Sequence, residues 1–104
     1  MTRILVGDGS MYYEREGIGF PVLLISGLGG VASFWRDQVP TFAKQFDVIT
    51  HDHRGIGQSY PSRSGYTVDR MAADVIGLMD ALEVERAHVV GHSTGGAIAQ
   101  ILAI

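Results

Sequence analysis

Ser93 is the one serine in this chain with glycine two residues away on both sides, in the run Gly91-His92-Ser93-Thr94-Gly95. That G-x-S-x-G spacing suits a sharp strand-to-helix turn that lifts a serine hydroxyl to its tip. A Cβ two residues to either side would collide where strand and helix meet, so both flanking positions call for glycine. A helix N-terminus beneath the serine also gathers backbone N–H groups and the positive end of a dipole, where a developing oxyanion could be held. The chemistry in view is attack on a carbonyl carbon by a hydroxyl. With fourteen glycines in 104 residues, five matching residues are a weak signal by themselves. The plainer alternative is a glycine turn carrying a solvated serine, and the surrounding elements decide between them.

A second cluster, Ser26-Gly27-Leu28-Gly29-Gly30, follows an apolar run. A glycine loop at the carboxyl end of a strand lets backbone N–H groups approach a ligand, in the crevice where open α/β sheets bind. It could cradle a phosphate, but no Lys-Ser or Lys-Thr follows it and no G-x-G-x-x-G with a distant acid is present. A plain turn is the bland reading.

The elements that must position these loops are read from hydrophobic spacing. Ile4 to Val6 and Ser10 to Arg15 are β-compatible, and Gly7-Asp8-Gly9 between them suits a hairpin turn. Pro21 to Ser26 reads as a strand buried on both faces. From Ser33 to Phe46 the residues Trp35, Val39, Phe42 and Phe46 recur at helical intervals, with a kink or restart at Pro40. Phe46 to His51 reads as a second buried strand, ending in the loop Asp52-His53-Arg54-Gly55-Ile56-Gly57-Gln58-Ser59. The breakers Pro61-Ser62-Arg63-Ser64-Gly65 form a linker. Thr67 is then an N-cap for the stripe Val68, Met71, Ala72, Val75, Leu78, Met79, Leu82. A third strand, Ala87 to Val90, runs straight into the Ser93 turn, and a helix begins after it. Strands alternating with helices predict an α/β fold, a mostly parallel sheet with helices on both faces. A strand before the turn and a small-residue helix after it are the context that a nucleophile requires.

Composition narrows the partners. A net charge of -3 with eight scattered Lys and Arg offers no basic stripe, so nucleic acid is not expected. The absence of cysteine excludes a disulfide framework and a thiol nucleophile. The four histidines lack metal-site spacing; His51 and His53 stand two apart with no companion pair, so neither metal nor cofactor is expected. The N-terminal residues reach Asp8 before a signal core could form, and no apolar run approaches the roughly 18 residues of a membrane span. These features lead to the expectation of a cytoplasmic chain with a small acyl substrate, no membrane and no nucleic acid.

Three landmarks occur in order: the glycine loop at Ser26 to Gly30, the D-x-R-G-x-G-x-S run from Asp52 to Ser59, and the elbow at Ser93. With them the chain resembles the N-terminal part of the α/β-hydrolase superfamily over its whole length. The stretch from Leu24 to Gly30 and Trp35 look most like the branch of 3-oxoadipate enol-lactonases and aminoacrylate hydrolases. The resemblance implies a serine hydrolase acting on an ester, lactone or similar acyl bond. Ser93 is then the nucleophile, the backbone N–H groups of Leu28 and Thr94 form the oxyanion hole, and Gly27, Gly29 and His92 contact substrate. Where the family's loop usually begins His-Gly, this chain has Ser26-Gly27, which puts the anchoring of the loop in question. Serine at the elbow argues against the dehalogenase and epoxide-hydrolase branches, which place aspartate there.

Asp52, His53 and Arg54 tempt a reader who wants a triad within these residues. In the superfamily the order is serine, acid, histidine, and both partners follow the elbow. Here eleven residues follow Ser93, with no acid or histidine among them. Asp52 and His53 are therefore expected to brace the loop beside the site, His92 to point away from the nucleophile, and His88 to face a helix or solvent. The expected organisation is one incomplete domain, residues 1–104, whose C-terminal part lies elsewhere. The open edge of the strand from Ala87 to Val90 implies a second chain, either that part or another copy. A ligand-binding protein of the same fold, or an inactive fragment, stands as the alternative to an enzyme.

Overall fold

The computed structural model describes residues 3–6, 9–27, 30–59 and 67–103. Gly7, Asp8, Leu28, Gly29 and the linker from Pro61 to Gly65 lie outside the described residues. Strands β1 (Arg3–Val6) and β2 (Gly9–Glu16) form the expected hairpin, with Val6 opposite Gly9. The second half of β2 pairs antiparallel with β4 (Phe46–His51), from Tyr13 opposite His51 to Glu16 opposite Val48. Strand β3 (Phe20–Ile25) lies parallel to β4 on one side and to β5 (His88–Gly91) on the other. The order is β1-β2-β4-β3-β5, a mixed sheet whose β4-β3-β5 centre is parallel.

Continuous apolar runs make β3 and β4 because both faces of these two strands are covered. On β3, Leu23 and Ile25 point to one face, where they meet Met71, Ala72, Val75 and Leu78 of α2 (Val68–Ala81) and Ile98 of α3 (Thr94–Ala103). Val22 and Leu24 point to the other, against Trp35, Val39 and Phe42. Helices therefore flank the sheet on both sides, as alternation along one strand requires.

The segment from Ser33 to Phe46 takes the second of the two courses its spacing allows, a helical run restarted at Pro40 rather than kinked through it. It holds a 3-10 turn at Ala32–Trp35 and one α turn, α1 (Val39–Phe42), separated by a non-helical stretch. Pro40 has no N–H to donate and its ring crowds the carbonyl four residues back, so it fits only at the start of a helix. The apolar spacing correctly picks out the buried side but not continuous helical bonding.

Both ends of α2 carry a reason to stop. Thr67 accepts a 3.1 Å bond from the Arg70 N–H, as an N-cap should. At the other end Val84 N–H donates to Met79 C=O and Glu83 N–H to Asp80 C=O, a Schellman closure with Glu83 at φ 59°.

Candidate active site

The elbow sits where β5 gives way to α3. Ser93 has φ 58°, a left-handed conformation that a non-glycine residue adopts at a cost of about 1–2 kcal/mol. The close approach that permits it depends on the flanking glycines. A Cβ on Gly91 would overlap the backbone of Gly95, and one on Gly95 would overlap the Ile25 carbonyl. Ser93 itself is exposed, and no hydrogen bond to its hydroxyl occurs among the described residues. Gly95 N–H donates to His92 C=O and Gly96 N–H to Ser93 C=O, whereas Thr94 N–H has no backbone acceptor among the described residues. That leaves Thr94 with a donor at the helix N-terminus, next to the exposed hydroxyl.

The glycine loop starts against the elbow. A Cβ built on Gly27 would lie 3.3 Å from Ser93 Cβ and 3.7 Å from its Oγ. Gly30 N–H closes a turn onto Gly27 C=O at 2.9 Å. Leu28 and Gly29, expected as an oxyanion donor and a substrate contact, are outside the described residues. His92 is exposed and its ring stacks at 5.1 Å on Phe34, while His88 is exposed with its ring 4.9 Å from that of Phe20.

The Asp52–Ser59 loop runs behind the glycine loop. Asp52 Oδ1 accepts from Ala32 N–H at 2.7 Å and Oδ2 from Gln58 N–H at 2.8 Å. His53 Nε2 lies 2.8 Å from Ser26 C=O. Arg54 meets Asp74 of α2 in a bidentate pair at 2.6 and 2.7 Å, both side chains 8% exposed. Ser59 Oγ donates to Asp52 C=O and accepts from Tyr12 N–H, tying the loop to β2. The expectation that Asp52 and His53 brace a loop describes these contacts well. The Arg54–Asp74 pair was not anticipated. Its signal was Asp74 itself, an acid three residues after Met71 and four before Leu78, hence on the buried face of α2 where a carboxylate needs a cation.

His51 is 1% exposed, has no hydrogen-bond partner on either ring nitrogen among the described residues, and stands edge-on to His53 at 4.8 Å. Burial pushes its pKa down to about 3, with the His53 charge adding to the effect. Burial lowers His53 as well, opposed by its bond to the Ser26 carbonyl. His51 is therefore uncharged at neutral pH. No cluster of three or more His, Cys, Asp or Glu suited to a metal ion occurs among the described residues, and no helix among them is long and apolar enough to cross a membrane.

A parallel-centred sheet, an elbow with a left-handed serine, and a glycine loop against it define the α/β-hydrolase class, and the family model for the alpha/beta hydrolase fold matches residues 21–104. The chain belongs to that family. It is 44% identical over 98 residues to the "Putative carbamate hydrolase RutD" of Azorhizobium caulinodans, covering 94% of this chain and 37% of that protein. The enol-lactonase of Burkholderia xenovorans superimposes with TM-score 0.92 at 33% identity, covering 98% of this chain and 41% of the other. The epoxide hydrolase CorEH superimposes equally well, with TM-score 0.93 at 33% identity over 98% of this chain and 36% of that one. The fold thus does not separate the branches. The chain spans well under half the length of the relatives it matches.

Proposed function

We propose that Ser93 is the nucleophile of a hydrolase that cleaves an ester, lactone, carbamate or similar acyl bond through an acyl-enzyme. The observation that carries this is the left-handed, exposed Ser93 between two glycines that admit no Cβ. Its Oγ attacks the carbonyl carbon and its proton passes to a histidine base, giving a tetrahedral oxyanion held by the N–H groups of Thr94 and Leu28. The leaving group departs with that proton, and water, activated by the same histidine, releases the acyl group. Gly27, Gly29 and His92 contact substrate around the reacting carbon. No metal or cofactor enters these steps.

The acid and histidine come from further polypeptide that adds to the β5 edge. Two observations support this: β5 pairs only with β3 among the described residues, and the chain matches 37% of the length of the RutD relative and 41% of that of the enol-lactonase. A serine at its ordinary pKa is a weak nucleophile without an adjacent base, so Ser93 in these 104 residues alone is nearly idle. The test is hydrolysis of short-chain esters, enol-lactones and carbamates by the complete protein. Ser93→Ala is expected to lower kcat by at least about 10⁴-fold with the fold intact. Activity retained in that variant rejects the proposal.

A further inference from the structure

The two residues bracing the glycine loop grip opposite ends of it. His53 holds the carbonyl of Ser26, and its neighbour Asp52 holds the N–H of Ala32. His53 and Ser26 are both 1% exposed and Asp52 is 3% exposed, so water does not compete for these bonds. A carbonyl can only accept, so Nε2 of His53 carries the hydrogen. The Ser26 hydroxyl is buried without a partner among the described residues, which leaves the backbone carbonyl as the anchored group of that residue.

A peptide unit is planar, and its C=O and N–H point in opposite directions. Holding the Ser26 carbonyl toward His53 therefore fixes the direction of the Gly27 N–H. That N–H has no backbone acceptor among the described residues, and Gly27 is the residue in contact range of Ser93. We propose that His53 is a positioning residue: its Nε2–H orients the Ser26–Gly27 peptide beside the nucleophile, with Asp52 fixing the far end of the loop at Ala32. This rests on the reading of Ser93 as nucleophile and of the loop as a source of oxyanion donors. The imidazole itself touches neither substrate nor reacting atoms. Its ring stands edge-on to that of the buried His51 at 4.8 Å, and its Nε2 hydrogen is engaged by the Ser26 carbonyl at 2.8 Å.

Nitrogen NMR and amide hydrogen exchange of the chain test this without requiring turnover. The ring nitrogens of His53 should report the Nε2-protonated tautomer. His53→Phe, which keeps a ring and removes the donor, should speed exchange of residues 26–32 by about tenfold. Exchange in α2 should be unchanged. His53→Gln, which restores an N–H donor, should bring the loop back to within about threefold of the parent. In the complete protein His53→Phe should lower kcat with KM little changed, and His53→Gln should recover most of it. An Nδ1-protonated tautomer, loop exchange unmoved by His53→Phe, or a rise shared equally by α2 or by His53→Gln overturns the proposal. A clamp that passes these tests while Ser93 proves unreactive would sink the hydrolase reading alone.

Discussion

Among the described residues two other than glycine hold a positive φ, Glu83 and Ser93, and they do so for different reasons. Glu83 closes α2 at a position that glycine fills at less cost, so Glu83→Gly should stabilise the chain by about 1 kcal/mol, read as a higher urea midpoint with unchanged slope. An unchanged or lower midpoint would show that its side chain compensates elsewhere. Ser93 keeps its strain at the point where a hydroxyl must be presented. The elbow was legible because its requirement is local: two absent Cβ atoms at fixed offsets. The His53 contact was legible only as a general expectation of bracing, because its partner is 27 residues away and is a backbone carbonyl that no side-chain pattern encodes.

His51 adds a pH dependence at the same scale. Its folded pKa of about 3 lies below the ordinary 6.5, so as pH falls the unfolded chain takes up a proton before the folded one does. Stability is therefore complete above about 6.5 and drains away as pH falls toward 3, by a total on the order of 5 kcal/mol. Urea midpoints across that range should fall more steeply in the parent than in His51→Phe. Equal slopes would show that His51 is not the buried neutral group described.

At the scale of elements, the order β-hairpin, β, helical turns, β, helix, β, elbow, helix is close to the sequence reading. The strands were legible because burial on both faces needs unbroken apolar runs, and α2 because one stripe of it faces the sheet. Pairing was less so. Nothing in the spacing says that β2 lies antiparallel on β4, since its polar residues suit any edge. The stretch before β4 was legible in its restart at Pro40 but not in its extent of helical bonding, because Trp35, Val39 and Phe42 share a buried face whether or not the backbone between them is helical. The loop after β4 is tied to α2 through Arg54 and Asp74, and removing the carboxylate takes away two buried charge-assisted hydrogen bonds between them. Asp74→Ala should therefore cost about 3 kcal/mol by denaturant unfolding. A loss under about 1 kcal/mol would mean that the pair contributes no more than an exposed one.

At the scale of the molecule, the Cα radius of gyration is 12.3 Å, close to the roughly 13 Å of an ordinary domain of this length, so these residues pack around their own core. One side stays open. Val90 on β5 is 39% exposed, and Phe20 and Ile76 border a groove of about 1030 Å³ beside β5 at 46% and 49%. An unpaired apolar edge is a template for association. With no further polypeptide supplied, the 104-residue chain should associate with rising concentration, and light scattering that shows a stable monomer throughout would contradict an unfilled edge.

The claim on which the rest depends is that this fold presents Ser93 as a nucleophile. Reaction of the complete protein with a fluorophosphonate probe, followed by peptide mapping, reads that directly. The expected result is one phosphonyl group per chain on Ser93, absent in Ser93→Ala, and formed far more slowly when the 104 residues are treated alone. A complete, active protein left unlabelled at Ser93, or labelled on another residue, would contradict it.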